Sequence, residues 1–460
     1  MTQVLTRSDT RPEEPDIADL LAARPAFAMH AQDGLCFEDV PLNTVADAFG
    51  TPVWVYGAAT LRARYAALAD AFRDAGLGVH IHYAVKANDH LAILALLRKA
   101  GAGADVVSQG EFSRAIKAGI APADIVFSGV GKTRAELAAA LAAGIGQINV
   151  ESAEELAMLS AVASGLGRAA RIVLRMNPDV DAGTHAKITT GLADNKFGIA
   201  AADIPSLYAH AAALPGIEPQ GIALHIGSQI LSPAPYAKAY VKAAAMVRAL
   251  RDAGQSVSVL DLGGGLGIGY RDEPGMKLAA FAEVVRRELG GLGLRLLLEP
   301  GRYLVGPAGL LLASVVLEKR ADSKRFVVLD AAMNDLLRPA LYESYHAILP
   351  VSAVDFVNPA SPADVVGPIC ETGDIFAPDR LLPSFAENAR LALLDAGAYG
   401  AVMSSPYNAR PRAAAVLLDG GRCHLITPRQ KLEDLWADEI LPDRLDLRGA
   451  APPTKRDPIK

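Results

Sequence analysis

From about residue 51 to residue 302 the chain repeats one pattern. A short apolar, β-branched run is followed by a turn, then by apolar residues at helical spacing. The pattern predicts strands over 80–85, 104–108, 125–129, 147–151, 171–177, 221–225, 257–262 and 294–299. Helical periodicity fills the intervals, most clearly over 134–143, 154–164 and 236–253. Alternating strands and helices imply a parallel sheet, and eight such units imply closure into a (β/α)8 barrel of TIM type. An open, doubly wound sheet is the alternative.

Beyond Arg302 the pattern changes. Runs at 310–317, 326–330, 363–366, 390–395, 413–418 and 422–426 are short, strand-like and separated by turns, which predicts an all-β barrel or sandwich. Earlier runs at 35–40 and 52–56 are predicted to join it. The chain thus divides into a flexible extension over 1–24, strands of the β-domain over 25–54, a barrel over 55–303, a β-domain over 304–446 and a flexible tail over 447–460.

Composition narrows the class. The 460 residues are 51% hydrophobic and 21% charged, as in a globular enzyme and unlike a disordered chain. A formal net charge of −6, with no lysine/arginine block, argues against nucleic acid as partner. Three scattered cysteines suit neither a disulfide framework nor a zinc site, so no metal is expected and a reducing cytoplasm is. The acidic, proline-broken start lacks the apolar core of a signal peptide. The longest apolar stretch, 304–317, carries Gly306-Pro307 and is too short to span a bilayer, so no membrane partner is expected.

The conspicuous polar residues fall at strand ends: Lys86, Asp105, Ser128, Arg175, Asn177, His225, Gly263, Gly264, Gly265, Glu299 and Arg302. In a barrel these ends share one mouth. Lys86 closes an alternation of Ile81, Tyr83 and Val85 against His80 and His82, and Asn88-Asp89 reads as the N-cap of the next helix. A lysine among apolar neighbours loses solvation, its pKa is predicted to fall, and a free amine can form a Schiff base. The three glycines after Asp261-Leu262 let backbone amides approach one anion, although their spacing is neither a P-loop nor a dinucleotide fingerprint. Gly301 adds a further amide, Glu299 can hold a pyridine nitrogen protonated, and His225 can stack on an aromatic ring. Singly, these are a solvated lysine, a tight turn, a buried ion-pair partner and a core histidine. Together they point to pyridoxal phosphate.

Ordered motifs extend the pattern. They are Tyr83-Ala84-Val85-Lys86-Ala87-Asn88, Phe127-Ser128-Gly129-Val130-Gly131-Lys132-Thr133, Asn195-Lys196-Phe197-Gly198-Ile199, His225-Ile226-Gly227-Ser228-Gln229 and Glu299-Pro300-Gly301-Arg302. Arg338-Pro339-Ala340-Leu341-Tyr342, Gly367-Pro368-Ile369-Cys370-Glu371-Thr372-Gly373-Asp374 and Asp395-Ala396-Gly397-Ala398-Tyr399-Gly400 follow. From about residue 37 to 435 the chain resembles the barrel-type (fold type III) pyridoxal-phosphate decarboxylases. The resemblance implies that Lys86 holds the cofactor covalently and His225 stacks on it. It also implies that Gly263, Gly264, Gly265, Gly301 and Arg302 line its phosphate, and that Tyr399 contacts it from the β-domain. Cys370 and Glu371 would enter from the partner subunit of a homodimer with shared active sites, Cys370 as a proton donor.

Glu299 favours a protonated ring, the deeper electron sink, and so supports decarboxylation over racemisation. Arg302, Arg338 and Tyr342 suit a distal carboxylate, with Glu371 and Tyr399 beside them, and Glu371 suits a distal ammonium. The expected reaction is decarboxylation of meso-2,6-diaminopimelate to L-lysine and CO2. The alternatives are a decarboxylase of another amino acid, such as a D-amino acid, carboxynorspermidine, ornithine or arginine, and a non-catalytic pyridoxal-phosphate-binding regulator.

Overall fold

The computed structural model describes residues 14–181, 196–322 and 324–442. Eight parallel strands form the barrel: Val79–Ala84, Gly103–Val106, Ile125–Phe127, Gln147–Val150, Ala170–Asn177, Ile217–Ala223, Val259–Asp261 and Arg295–Leu298. Each pairs with its neighbour in sequence, and the eighth returns to the first through Leu296 opposite Val79. The sheet is closed, so the open doubly wound alternative is excluded.

Most predicted runs overshoot their strands, because the residues that follow are turn and capping residues. The second strand stops at Val106 because Ser108 already caps the helix Gln109–Lys117, accepting from the Glu111 amide. The third stops at Phe127 before Gly129, whose φ of 103° no strand accommodates. Thr133 and Glu136 form a reciprocal capping box that starts the helix Arg134–Ala143. The expected Asn88-Asp89 cap is not used. His90 caps the helix Leu91–Ala100 instead, because Asn88 is buried and its Nδ2 donates to Gly397 O of the β-domain at 3.1 Å.

The second sheet takes in the N-terminal strand Val53–Gly57. This strand lies between Gly309–Ala321, antiparallel, and Ala414–Asp419, parallel. The expected strand over 35–40 divides into Gly34–Phe37 and Val40–Pro41, with Glu38 and Asp39 turning at positive φ. Sequence periodicity misses Ile375–Leu382, whose Pro378 argues against a strand; it lies at the sheet's edge, where proline is tolerated.

The expected loose extension over 1–24 is corrected where it is described. Asp16 caps the helix Ile17–Ala22, Leu20 is buried, and buried Arg24 pairs with buried Asp395 at 2.6 Å. Glu14 accepts from Tyr345 OH at 2.7 Å and pairs with Arg380 at 2.9 Å, so the segment is anchored at both ends. The tail over 447–460 lies outside the described residues, as does Asn195.

Candidate active site

The carboxyl ends of the barrel strands meet the β-domain around a cavity of about 800 Å³. Lys86, His225, Glu299, Arg302, Arg338, Tyr342 and Tyr399 all line it. Lys86 sits in the single turn Val85–Ala87 directly after the first strand, and Arg302 opens the short helix Arg302–Val305 after the eighth. Tyr399 comes from the β-domain at φ 56°, and its amide donates to Ala87 O at 2.8 Å. That bond ties the β-domain to the lysine turn.

The expected depression of the Lys86 amine does not occur. Its Nζ donates to Asp105 Oδ2 at 3.1 Å, and Asp105 is fully buried. Burial alone would push the amine down, but the charges of Asp105 and Glu299 outweigh it and hold the pKa above its ordinary value. Glu299 is raised well above the usual carboxylate range by burial first, then by the negative charges of Asp105 and Asp261. Its Oε1 accepts from Asn149 Nδ2 at 3.0 Å and from Ser128 Oγ at 3.3 Å. His225 is held well below its ordinary pKa by burial, then by the cations Arg175 and Lys86. Its Nδ1 accepts the Gly264 amide at 3.3 Å, so the neutral ring carries its proton on Nε2.

Two buried guanidinium groups complete the wall. Arg302 donates to Tyr270 OH at 2.7 Å and to Ser228 Oγ at 3.0 Å, while Arg338 donates to Ser344 Oγ at 3.3 Å. Among the described residues neither has a carboxylate partner within ion-pair distance. Buried cations are normally paired, so a cavity carrying two unpaired arginines is built for anions.

The comparisons agree with that chemistry. A family model described as the pyridoxal-binding domain of pyridoxal-dependent decarboxylases matches residues 58–306. A diaminopimelate decarboxylase of Zymomonas mobilis is 49% identical, over 88% of this chain and 96% of that one. This chain belongs to the diaminopimelate decarboxylases. The Helicobacter pylori diaminopimelate decarboxylase, solved in complex with L-lysine, superposes with a TM-score of 0.83 at 40% identity, covering 86% of this chain and 99% of that one. The corresponding enzyme of M. jannaschii, also with L-lysine, gives 0.87 at 34% identity, covering 92% and 99%.

The cofactor of this family is pyridoxal phosphate, and the residues present fit it. The amides of Gly265 and Gly301 find no acceptor among the described residues, and Arg302 Nε is buried without a partner. Gly263 and Gly264, by contrast, spend their amides inside the protein, on Asp261 Oδ1 and His225 Nδ1. They are glycines for another reason: a Cβ on Gly264 would lie 2.1 Å from Glu299 O, and one on Gly263 2.1 Å from Leu224 O. None of the four glycines lines the cavity itself.

Cys370 and Glu371 also lie outside the cavity of their own chain. Both are exposed; the thiol donates to Asn408 Oδ1 at 3.3 Å and Glu371 accepts from Tyr407 OH. Sequence reasoning missed Asn149, Gln147 and Tyr270 and gave Asp105 and Asp261 no role. Gln147 Nε2 bonds Asn149 Oδ1 at 2.8 Å and Asp261 Oδ2 at 3.2 Å, a buried polar floor beneath Glu299. The lysine of the Gly129-Val130-Gly131-Lys132-Thr133 motif does not line the cavity. It is buried, bracing Gly129 O, Asn149 O and Glu155 at 2.7 Å each.

Proposed function

We propose that the protein decarboxylates meso-2,6-diaminopimelate to L-lysine and CO2, working as a cytoplasmic homodimer. The observation that carries the substrate reading is the pair of buried arginines without carboxylate partners, facing the same cavity as Lys86. A distal carboxylate answers that charge; the purely cationic tail of ornithine or arginine would be repelled by it. When bound, pyridoxal phosphate supplies an electron-poor ring that accepts the electron pair left behind as CO2 departs.

The chain's own residues prepare the site for that chemistry. Lys86 is protonated while paired with Asp105, so it sheds a proton before its amine can bond a carbonyl carbon. Asp105, whose Oδ2 lies 3.1 Å from Nζ, orients the amine in the cavity. Glu299 would share a proton with the pyridine nitrogen, carboxylate and pyridinium stabilising each other. His225, neutral, offers a flat face to the ring without adding charge. Tyr399 and the β-domain loop lie against the lysine turn, tied to it through the Ala87 carbonyl. Cys370 and Glu371, outside the cavity of their own chain, would reach the partner subunit's site. The cytoplasmic location is supported by three free cysteines, and among the described residues no helix is long and apolar enough to cross a membrane.

The test is CO2 release with diaminopimelate, ornithine, lysine and arginine as competing substrates. Diaminopimelate should be turned over fastest. Arg338→Ala should lower kcat/KM for it by roughly ten- to a hundredfold, the worth of a charge-assisted contact, with the cofactor still bound. Faster turnover of ornithine or arginine by the unmutated enzyme would overturn the substrate assignment.

A further inference from the structure

Arg338 is aimed from behind by a residue that no substrate can touch. Its Nη1 lies 2.9 Å from His346 Nε2, and His346 Nδ1 lies 2.8 Å from the Leu394 carbonyl. A carbonyl only accepts, so Nδ1 carries the imidazole proton, and Nε2 is then the lone pair that receives the arginine's hydrogen. One neutral tautomer satisfies both contacts. His346 is 1% exposed and does not line the cavity. The ring of Tyr270 stands edge-on to it at 5.4 Å and lies under the Arg338 guanidinium at 5.0 Å. Leu394 directly follows the strand Arg390–Leu393, so the relay fastens the arginine to the β-domain core.

We propose that His346 is a positioning residue that, as a neutral acceptor, holds Arg338 in its substrate-facing orientation. The inference rests on the reading above that Arg338 receives the distal carboxylate. The choice of side chain follows from charge. An aspartate or glutamate here would pair with Arg338 and cancel the charge the ligand needs, and a lysine would repel it. An aliphatic residue would leave both Nη1 and the Leu394 carbonyl buried and unpaired. A neutral imidazole uses one hydrogen of Nη1, and Ser344 uses one of Nη2. Neither contact neutralises the guanidinium, so its positive charge stays undiminished for a carboxylate.

Three variants of the holoenzyme test this. His346→Leu removes both contacts, His346→Asn keeps a donor for Leu394 without an acceptor for Arg338, and His346→Gln keeps an acceptor for Arg338. Leu and Asn should raise KM for diaminopimelate about tenfold or more with a much smaller change in kcat, and Gln should recover most of the loss. Cofactor absorbance should be unchanged in all three; Asn serves should the Leu variant fail to fold. Combined with Arg338→Ala, His346→Asn should add nothing further. A merely structural role would lower kcat, cofactor content and thermal stability together, and Gln would not rescue it. The inference fails alone if Arg338→Ala raises KM while His346→Asn does not, or if the two losses multiply. If Arg338→Ala leaves KM unchanged, the substrate reading fails and this inference with it.

Discussion

Lys86 shows how a single side chain is legible in sequence while its resting state is not. Its place at a strand end identifies it, but the partner that fixes its charge, Asp105, comes from the next strand. Borohydride reduction of the holoenzyme should fix the cofactor irreversibly to Lys86, and peptide mapping should find it there. Lys86→Ala should lose the adduct and nearly all turnover, and an adduct on another lysine would refute the assignment. His82, four residues earlier, makes a second prediction. Burial, aided by the nearby His80, lowers its pKa from the usual 6.5 to about 4, and its Nδ1 lies 3.2 Å from Asp124 O. Between those values the unfolded chain binds a proton there that the folded chain refuses, so stability rises with pH in that window and falls as acid is added. The full effect is about 3 kcal/mol. His82→Asn, which keeps a donor for Asp124, should give a shallower loss of stability from pH 6.5 to 4 in denaturant titrations; an unchanged slope would show that His82 titrates normally.

At the scale of elements, the barrel could be read because most of its strands are rich in apolar residues and several helices begin on a serine or threonine cap, as at Ser108, Thr133 and Ser152. The polar floor was harder to read for a physical reason. Gln147 and Asn149 alternate with Ile148 and Val150 in a strand of a parallel sheet, where both faces are usually apolar. That polar alternation is the signal for side chains pointing into the barrel interior. The turn after Asp261 shows the opposite lesson: its glycines look like an anion cradle, yet Gly264 is glycine because the Glu299 carbonyl packs against it. Gly264→Ala should therefore displace the end of the eighth strand and with it Glu299. It should lower stability by roughly 1–3 kcal/mol and weaken cofactor binding, measured by melting temperature and cofactor absorbance. A variant of unchanged stability that loses only the cofactor would restore the cradle as the reason for that glycine.

At the scale of the whole molecule, one chain builds most of the site but not all that the sequence motifs expect. Lys86, His225, Glu299 and the two arginines converge in one cavity, whereas Cys370 and Glu371 point to solvent on a β-domain turn. Neither periodicity nor spacing within one chain can reveal a residue whose working partner belongs to another copy. Two-fold assembly would bring the pair from each β-domain to the other subunit's lysine, an isologous arrangement in which each chain completes its neighbour. Mixing inactive Lys86→Ala protein with inactive Glu371→Ala protein tests it. Random exchange makes half the dimers mixed, and each mixed dimer has one site with both residues intact. Activity should recover to about a quarter of normal per total site. Exchange demonstrated by differently tagged subunits, with no activity regained, would mean that Glu371 serves the site of its own chain and reaches it only by a movement of the turn that carries it.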